Sequence, residues 1–506
     1  MAREIEIKLA FAPEARRAVE RHPLLIAAKV GRASHRELYS AYFDTVDRRL
    51  VAAGAALRIR KEGGRWVQTL KSADQSVGAL HSRSETDWPI ARGALALDVL
   101  GEHALFKARR SGERTIDPRR LRQAFVTRFL RTSFDIRLAE GTLAEVAIDS
   151  GVIEAARRSV PISEIEIELK EGDPLALIEL SMALCADLQL RVEAGTKSAR
   201  GFELANRVRA LPAKARPLAL QRAQTLGVAA GQMIASTLAQ VQANERGAML
   251  GRDVEYLHQL RVGLRRFRAV LSVCGGAFSK SDVNDLKARL DPLGVALGRA
   301  RDWDVWCTET LPRLAAAFPE LPDLRQLARV SQGERRAAQV ALRQALASTD
   351  YACVVLLAAR LALQAPRELA AAIDLGAYAE RLLERRLTRL LERDPVNGDI
   401  AIRHRIRIEA KKLRYAADLL SGVFARPGAR GPQRFVRAAG SVQDVLGRLN
   451  DSATGTARLD ELVAARPSLN AVAIGTARGW LAGGRDGLAE SLANAWSGLK
   501  DARRFW

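Results

Sequence analysis

Three short runs place acids and bases on alternate residues: Glu4-Ile-Glu6-Ile-Lys8, Leu57-Arg58-Ile-Arg60 and Glu164-Ile-Glu166-Ile-Glu168-Leu-Lys170. Successive side chains of a strand point to opposite faces, so each run gathers its charges on one face and Ile or Leu on the other. The same parity joins Thr69 to Lys71, Arg83 to Glu85 and Asp87, and Glu145 to Asp149. Polar alternation ordinarily means a sheet with one solvated face. Like charges at i, i+2 and i+4 repel along a strand, however, unless something of opposite sign lies between them. Curling the sheet with its charged face inward supplies that partner: divalent cations for the glutamates, phosphate for the arginines and lysines. Hard carboxylate oxygens suit Mg2+ or Mn2+. Cleaving a phosphoanhydride is mostly positioning and charge neutralisation, so no Ser/His/Asp nucleophile is required. His22, His35, His81 and His103 fall outside this parity and read as incidental.

A second constellation has helical spacing. His258, Arg261, Arg265 and Arg268 fall on one stripe less than about 90° wide at 100° per residue. His404, Arg407, Lys411 and Arg414 trace the same stripe 146 residues later. Downstream, Leu297-Gly298-Arg299-Ala-Arg301-Asp302 returns as Leu446-Gly447-Arg448-Leu-Asn450-Asp451 at an offset of 149. Two matched segments in one order mean an internal duplication. A solvated basic face is the ordinary meaning of one such stripe. Two, each led by a histidine and free of intervening acids, call for a bridging anion. Neither His258 nor His404 has a metal-ligand partner at i+3 or i+4. Asp302 and Asp451, each near an Arg, read as helix caps or as carboxylates that orient the basic side chains.

The elements that must carry these groups change near residue 211. Residues 1–170 read as strands, with hairpin turns at Gly63-Gly64 and Glu140-Gly141 and a helix opening at Asp173-Pro174. Leu211-Pro-Ala-Lys-Ala-Arg-Pro217 reads as a linker. Beyond it Ala, Leu and Arg dominate at periods near 3.6, giving a pair of helical bundles. The domains expected are therefore 1–204, a linker at 205–217, and 218–506 with repeats at about 220–365 and 366–506. Net charge is +22, of which the first 204 residues carry +4 and the remainder +18. Such an excess attracts polyanions. Aromatics are 5% of the chain, without the basic–aromatic interleaving that stacks bases, which disfavours nucleic acid. Four scattered cysteines, an N-terminus without a targeting segment and the lack of a membrane span point to the cytoplasm.

In their order along the chain, Glu4-x-Glu6-x-Lys8, Leu-Arg58-Ile-Arg60, Thr69-Leu-Lys71, Arg83-x-Glu85, Asp149-Ser-Gly151 and Glu164-x-Glu166-x-Glu168 resemble the CYTH family, the triphosphate tunnel metalloenzymes. The resemblance covers about residues 1–204. It implies an antiparallel eight-stranded β-barrel whose tunnel binds a triphosphate with divalent metal. By position, Glu4 and Glu6 would ligate metal with Glu166, Glu168 and Asp149. Lys8, Arg58, Arg60, Lys71, Arg83, Arg131 and Lys197 would hold phosphate oxygens, and all but Lys197 join Glu4 and Glu6 in the implied catalytic set. One departure is Ser198-Ala199-Arg200, where the family often has Ser-Lys-Tyr.

The second half resembles the CHAD domain over about 220–506, on its duplicated His-x-x-Arg-x-x-x-(Lys/Arg)-(Lys/Arg)-x-Arg and Leu-Gly-Arg-x-x-Asp segments. That implies two four-helix bundles around a basic cleft for inorganic polyphosphate. The first copy would contribute His258, Arg261, Arg265, Arg266, Arg268 and Arg299. The second would contribute His404, Arg407, Lys411, Lys412, Arg414 and Arg448. The expectation is hydrolysis of inorganic triphosphate beside a polyphosphate-binding module. Thiamine triphosphate hydrolysis, ATP cyclisation and a non-catalytic scaffold remain open alternatives.

Overall fold

The structure, a computed structural model, describes residues 2–106, 116–206, 211–367, 372–425, 430–484 and 487–506. The side chains at 2–3, 73–77, 83, 206, 400 and 450–453 lie outside the described set, and with them those of Arg83 and Asp451. The chain divides into two compact units, Met1–Leu211 with Ala347–Arg360, and Pro212–Leu346 with Leu361–Trp506.

The first unit is one antiparallel sheet of nine strands: β1 Ala2–Ala10, β2 Lys29–Asp44, β3 Ala55–Glu62, β4 Arg65–Val77, β5 Leu80–Ile90, β6 Arg122–Arg137, β7 Leu143–Ala155, β8 Arg158–Glu171 and β9 Arg191–Val192. Their order is β5-β4-β3-β2-β6-β7-β8-β1-β9. The turns follow the sequence signals. Gly63 (φ 51°) and Gly64 (φ 89°) link β3 to β4 in the left-handed conformation that a two-residue hairpin demands. Glu140 (φ 56°) and Gly141 (φ 76°) do the same work between β6 and β7. Here the structure corrects the expectation of a uniform eight-stranded barrel. The sheet curls back on itself, but its seam is partial. β1 pairs with β8 only over Glu6–Ala10 and with β5 only over Ala2–Ile7, so both partners meet it at Glu6 and Ile7 alone. A ninth, two-residue strand pairs with Leu9 and Ala10 beyond the end of β5.

Around β1 and β8 both faces of the sheet are withdrawn from water, whereas β6 exposes Arg128 and Leu130 on its outer face. The outward Ile7, Leu9, Ile165 and Ile167 are fully buried. The helix Pro174–Asp187, capped by Asp173 accepting from the Leu175 N–H at 3.1 Å, lies against β1 and β8. Its Leu177, Ile178 and Leu184 are also fully buried, each worth about 1.5–3 kcal/mol. The inward face carries the charges, and Glu6, Lys8, Arg60, Asp149 and Glu164 are all buried there.

The second unit is helical and repeats itself in space. Helices Leu226–Met249, Val254–Val273 and Lys280–Val305 correspond to Leu375–Leu391, Ile400–Leu420 and Gly431–Ala465, followed by Leu324–Leu346 in the first copy and by Ala471–Gly483 and Leu488–Lys500 in the second. Their N-caps match as well, Thr225 with Asp374 and Asp253 with Asp399. The two copies meet reciprocally. The Leu226 N–H donates to the Ile373 carbonyl (2.9 Å), and the equivalent Leu375 N–H donates to the Gln224 carbonyl (3.1 Å). A contact that exchanges equivalent residues is the mark of a two-fold axis, here relating the halves of one unit. Among the described residues no single helix is long and apolar enough to cross a membrane.

Candidate functional site

Register decides which charges meet inside the sheet. β1 sets Lys8 opposite Glu166 and Glu6 opposite Glu168, β7 sets Asp149 opposite Arg131 and Glu164, and β4 sets Lys71 opposite Glu85. The side chains then bridge further than the register alone. Lys71 lies 2.8 Å from Glu4 and 2.7 Å from Glu85, with Arg58 3.4 Å from the same Glu85. Lys8 contacts Glu6 at 3.1 Å and Glu166 at 2.8 Å. Arg131 forks onto Asp149 through Nε (2.8 Å) and Nη2 (2.6 Å) and also meets Glu166. Lys197, from the helix Lys197–Asn206, reaches Asp149 (2.7 Å), Glu166 (3.1 Å) and Glu164.

Asp149, Glu164 and Glu166 each offer a carboxylate oxygen within 4.8 Å of the others. Three hard oxygen donors fit a divalent cation of the Mg2+ or Mn2+ kind. Of the implied ligands, Asp149 and Glu166 fall in this trio. Glu4 and Glu6 sit instead against Lys71 and Lys8, and Glu168 against Lys170 at 2.9 Å. Glu164 was legible as a member of the charged strand face, but nothing in the sequence set it beside Asp149. Arg200 stood in the sequence only as part of the departure at Ser198-Ala199-Arg200, without a site role. It follows Lys197 by one helical turn and pairs with Glu164.

Electrostatics divide the interior. Burial by itself would raise Glu166, yet Lys197, Lys8 and Arg131 hold it well below the usual carboxylate range. Asp149 likewise stays low against burial, through Lys197 and Arg131. Glu168 goes up, through burial and then the nearby Glu4 and Glu145. Arg60 is the exception among the cations: burial, then Arg58 and Arg131, push it down to about 10. Its hydrogen-bond partners are Ser40 (3.0 Å) and Glu62 (3.3 Å). A buried guanidinium whose neighbours are mainly cations is poised to accept an anion.

In the helical unit, Val254–Val273 packs on Ile400–Leu420, and the two stripes converge. Burial, then Arg265, Arg407, Arg261 and Arg268, push Lys411 down to about 8. His258 is lowered by burial and then by Arg301. Not every residue of the implied set faces this cluster. Arg266 is buried and paired with Asp418 at 3.4 Å, Lys412 is held by Glu409 at 2.8 Å, and Arg299 lies between Glu334 and Glu461. His404 and Arg448 are exposed, and Arg414 lies 5.3 Å from the Tyr415 ring. Arg261 donates to the Leu297 (3.0 Å) and Gly298 (2.7 Å) carbonyls, and Arg268 donates to that of Leu290 (2.7 Å). Asp302 sits inside a helix rather than capping one. It touches Arg261 (3.7 Å) and Arg458 (3.2 Å).

Comparison with known proteins separates the sheet from the helices, with Ala347–Arg360 falling in the helical match. The CYTH domain matches residues 2–202 and the CHAD domain residues 232–460. An inorganic triphosphatase of Haemophilus influenzae is 31% identical over 209 residues, 41% of this chain and 56% of that one. The chain thus spans 56% of the length of that curated relative. The crystal structure of the CHAD domain from the plant Ricinus communis is 30% identical, with a TM-score of 0.51 over 58% of this chain and 98% of that one. A putative adenylyl cyclase of Hippeastrum, described as having a dominant triphosphatase activity, is 20% identical over 39% of this chain and 94% of that one. Its TM-score is 0.30. A charged, curled sheet followed by duplicated basic helices, each matched in its own right, makes this chain an N-terminal CYTH domain fused to a C-terminal CHAD domain.

Proposed function

We propose that the first unit hydrolyses inorganic triphosphate with the help of Mg2+ or Mn2+, and that the second binds long-chain polyphosphate, both in the cytoplasm. The functional division follows 1–204 and 218–506, with the curled sheet working as the triphosphate tunnel. The observation that carries this reading is the pairing of opposites inside the sheet. An acid trio able to chelate a cation stands beside Arg60, a base lowered by burial and then by its basic neighbours. A ligand that presents both a metal and several phosphoryl oxygens satisfies both at once.

Lys8, Arg58, Arg60, Lys71, Arg131 and Lys197 bind and orient the phosphate chain, and Arg83 belongs to the same proposal by its place in the sequence motif. Asp149, Glu164 and Glu166, with Glu4, Glu6 and Glu168 on the neighbouring stretch of β1 and β8, hold the metal. A metal held there would supply charge neutralisation for the phosphoryl oxygens and activation of water. Burial strengthens each of these contacts. In the second unit Arg265, Arg407 and Lys411 form the centre of the polyphosphate contact, flanked by His258, Arg261 and Arg268. The test is phosphate release from tripolyphosphate, thiamine triphosphate and ATP, each with Mg2+ or Mn2+. Turnover of tripolyphosphate above the other two is expected. Conversion of ATP to a cyclic nucleotide with no tripolyphosphate hydrolysis would replace this reading with a cyclase.

A further inference from the structure

Phe129 lies on β6 two residues before Arg131, on the same inward face, and is 3% exposed. Three cations surround its ring: Lys197 at 5.1 Å from the centroid, Arg131 at 5.7 Å and Arg60 at 6.0 Å. They come from three different elements, the Lys197–Asn206 helix, β6 and β3. The ring itself is fixed. Its cross-strand partner on β7 is Gly151, where a Cβ would fall 2.5 Å from the Phe129 Cα and Cβ. Behind it the inward apolar residues Leu38, Tyr42, Phe125, Ile153 and Ile162 form one buried cluster with Phe129.

We infer that Phe129 is a positioning residue, whose ring gathers Arg60, Arg131 and Lys197 around one phosphoryl group of the substrate. The inference rests on the triphosphatase reading. Its physical basis is the difference between a ring and a carboxylate as a counter-charge. A carboxylate holds a cation but adds a negative charge that repels phosphate. The aromatic face attracts cations through its quadrupole and carries no net charge. Arg131 and Lys197 already have acids on one side, in the Asp149–Glu164–Glu166 trio, whereas among the described residues the acid paired with Arg60 is Glu62. The ring thus joins the acid-paired cations to the acid-poor one without discharging any of them.

Fluorination tests this, because it weakens the quadrupole with little change of shape. In the full-length protein, Phe129 is replaced by mono-, di- and trifluorophenylalanine and, separately, by Phe129→Leu. The readouts are kcat and KM for tripolyphosphate, calorimetric binding of tripolyphosphate without added metal, and the urea midpoint. KM and the metal-free dissociation constant should rise stepwise with fluorine number, by about tenfold at three fluorines, with kcat and the urea midpoint held. Phe129→Leu should match or exceed the trifluoro variant in KM. A flat fluorine series in an active wild type overturns the role of Phe129 and leaves the triphosphatase reading standing. A wild type that neither binds nor hydrolyses tripolyphosphate overturns both.

Discussion

The two units treat positive charge in opposite ways. Inside the sheet Lys8, Lys71, Arg131 and Lys197 each touch at least two carboxylates. In the helical unit the charged groups acting most on Lys411 are Arg265, Arg407, Arg261 and Arg268, all cations, and Arg261 and Arg268 donate to backbone carbonyls beside one acid each, Asp302 at 3.7 Å and Asp291 at 2.9 Å. A backbone carbonyl orients a guanidinium without cancelling its charge. The first arrangement is close to neutral and suits a ligand carrying both signs, metal and phosphate together. The second keeps its excess charge and suits a bare polyanion. Local electrostatics therefore separate the two sites more sharply than the net charges of the two halves do.

The largest test is a single substitution made in both places. Lys197→Met leaves the fully buried Asp149 and Glu164 short of a cation, so it should cost about 3 kcal/mol in urea unfolding and abolish triphosphate hydrolysis. Lys411→Met, which removes a cation crowded by other cations, should instead raise the melting temperature, by about 2–4 °C for 1 kcal/mol in a unit of this size. The same sign for both substitutions would erase the contrast. Next, Glu4→Gln with Glu6→Gln should lower hydrolysis by about a hundredfold or more, the scale of losing a transition-state electrostatic contact. Circular dichroism should stay unchanged, and unaltered turnover at saturating metal would remove both residues from the metal site.

In the helical unit, replacing Arg265, Arg407 and Lys411 by Ala should weaken polyphosphate binding. It should also flatten the log K against log salt slope by about 2, at roughly 0.7 per charge lost on a single-stranded polyanion. Tripolyphosphate hydrolysis should be unaffected. Binding that keeps its salt slope would mean the stripes are solvated faces.

The smallest effects are those of pH: stability rises with pH in both units, but in separate windows. Asp149 and Glu166 are depressed on folding, so their stabilisation is complete above the unfolded carboxylate range. It is lost as pH falls through their lowered values. Lys411 is lowered from 10.5 to about 8, so between those values the unfolded chain holds the extra proton. Stability of the helical unit should rise as pH increases through that window. Unfolding midpoints from pH 3 to pH 10 would reveal both slopes.

Strand parity, hairpin glycines, the Asp173-Pro174 helix start and the duplicated stripe could all be read from local spacing, because each depends on residues within a few positions. That reading placed most of the inward charges on the correct face. It failed where two distant segments had to be aligned. The trio of Asp149 with Glu164 depends on the β7–β8 register, and the pairing of Lys71 with Glu4 spans 67 residues. Arg266 stands beside Arg265 in sequence, yet one residue of helix turns it about 100° away towards Asp418.

The sequence by itself determined which residues are charged, which face of each element they occupy, and that the helical half is built twice. Those properties are periodic and local. Only the tertiary structure decided which charges neutralise one another and which are left to bind an anion. Coulombic energy varies inversely with the separation of the charges and is larger where water is excluded, and those separations are set by strand register, by the partial seam at β1 and by the approach of two helices related by the two-fold.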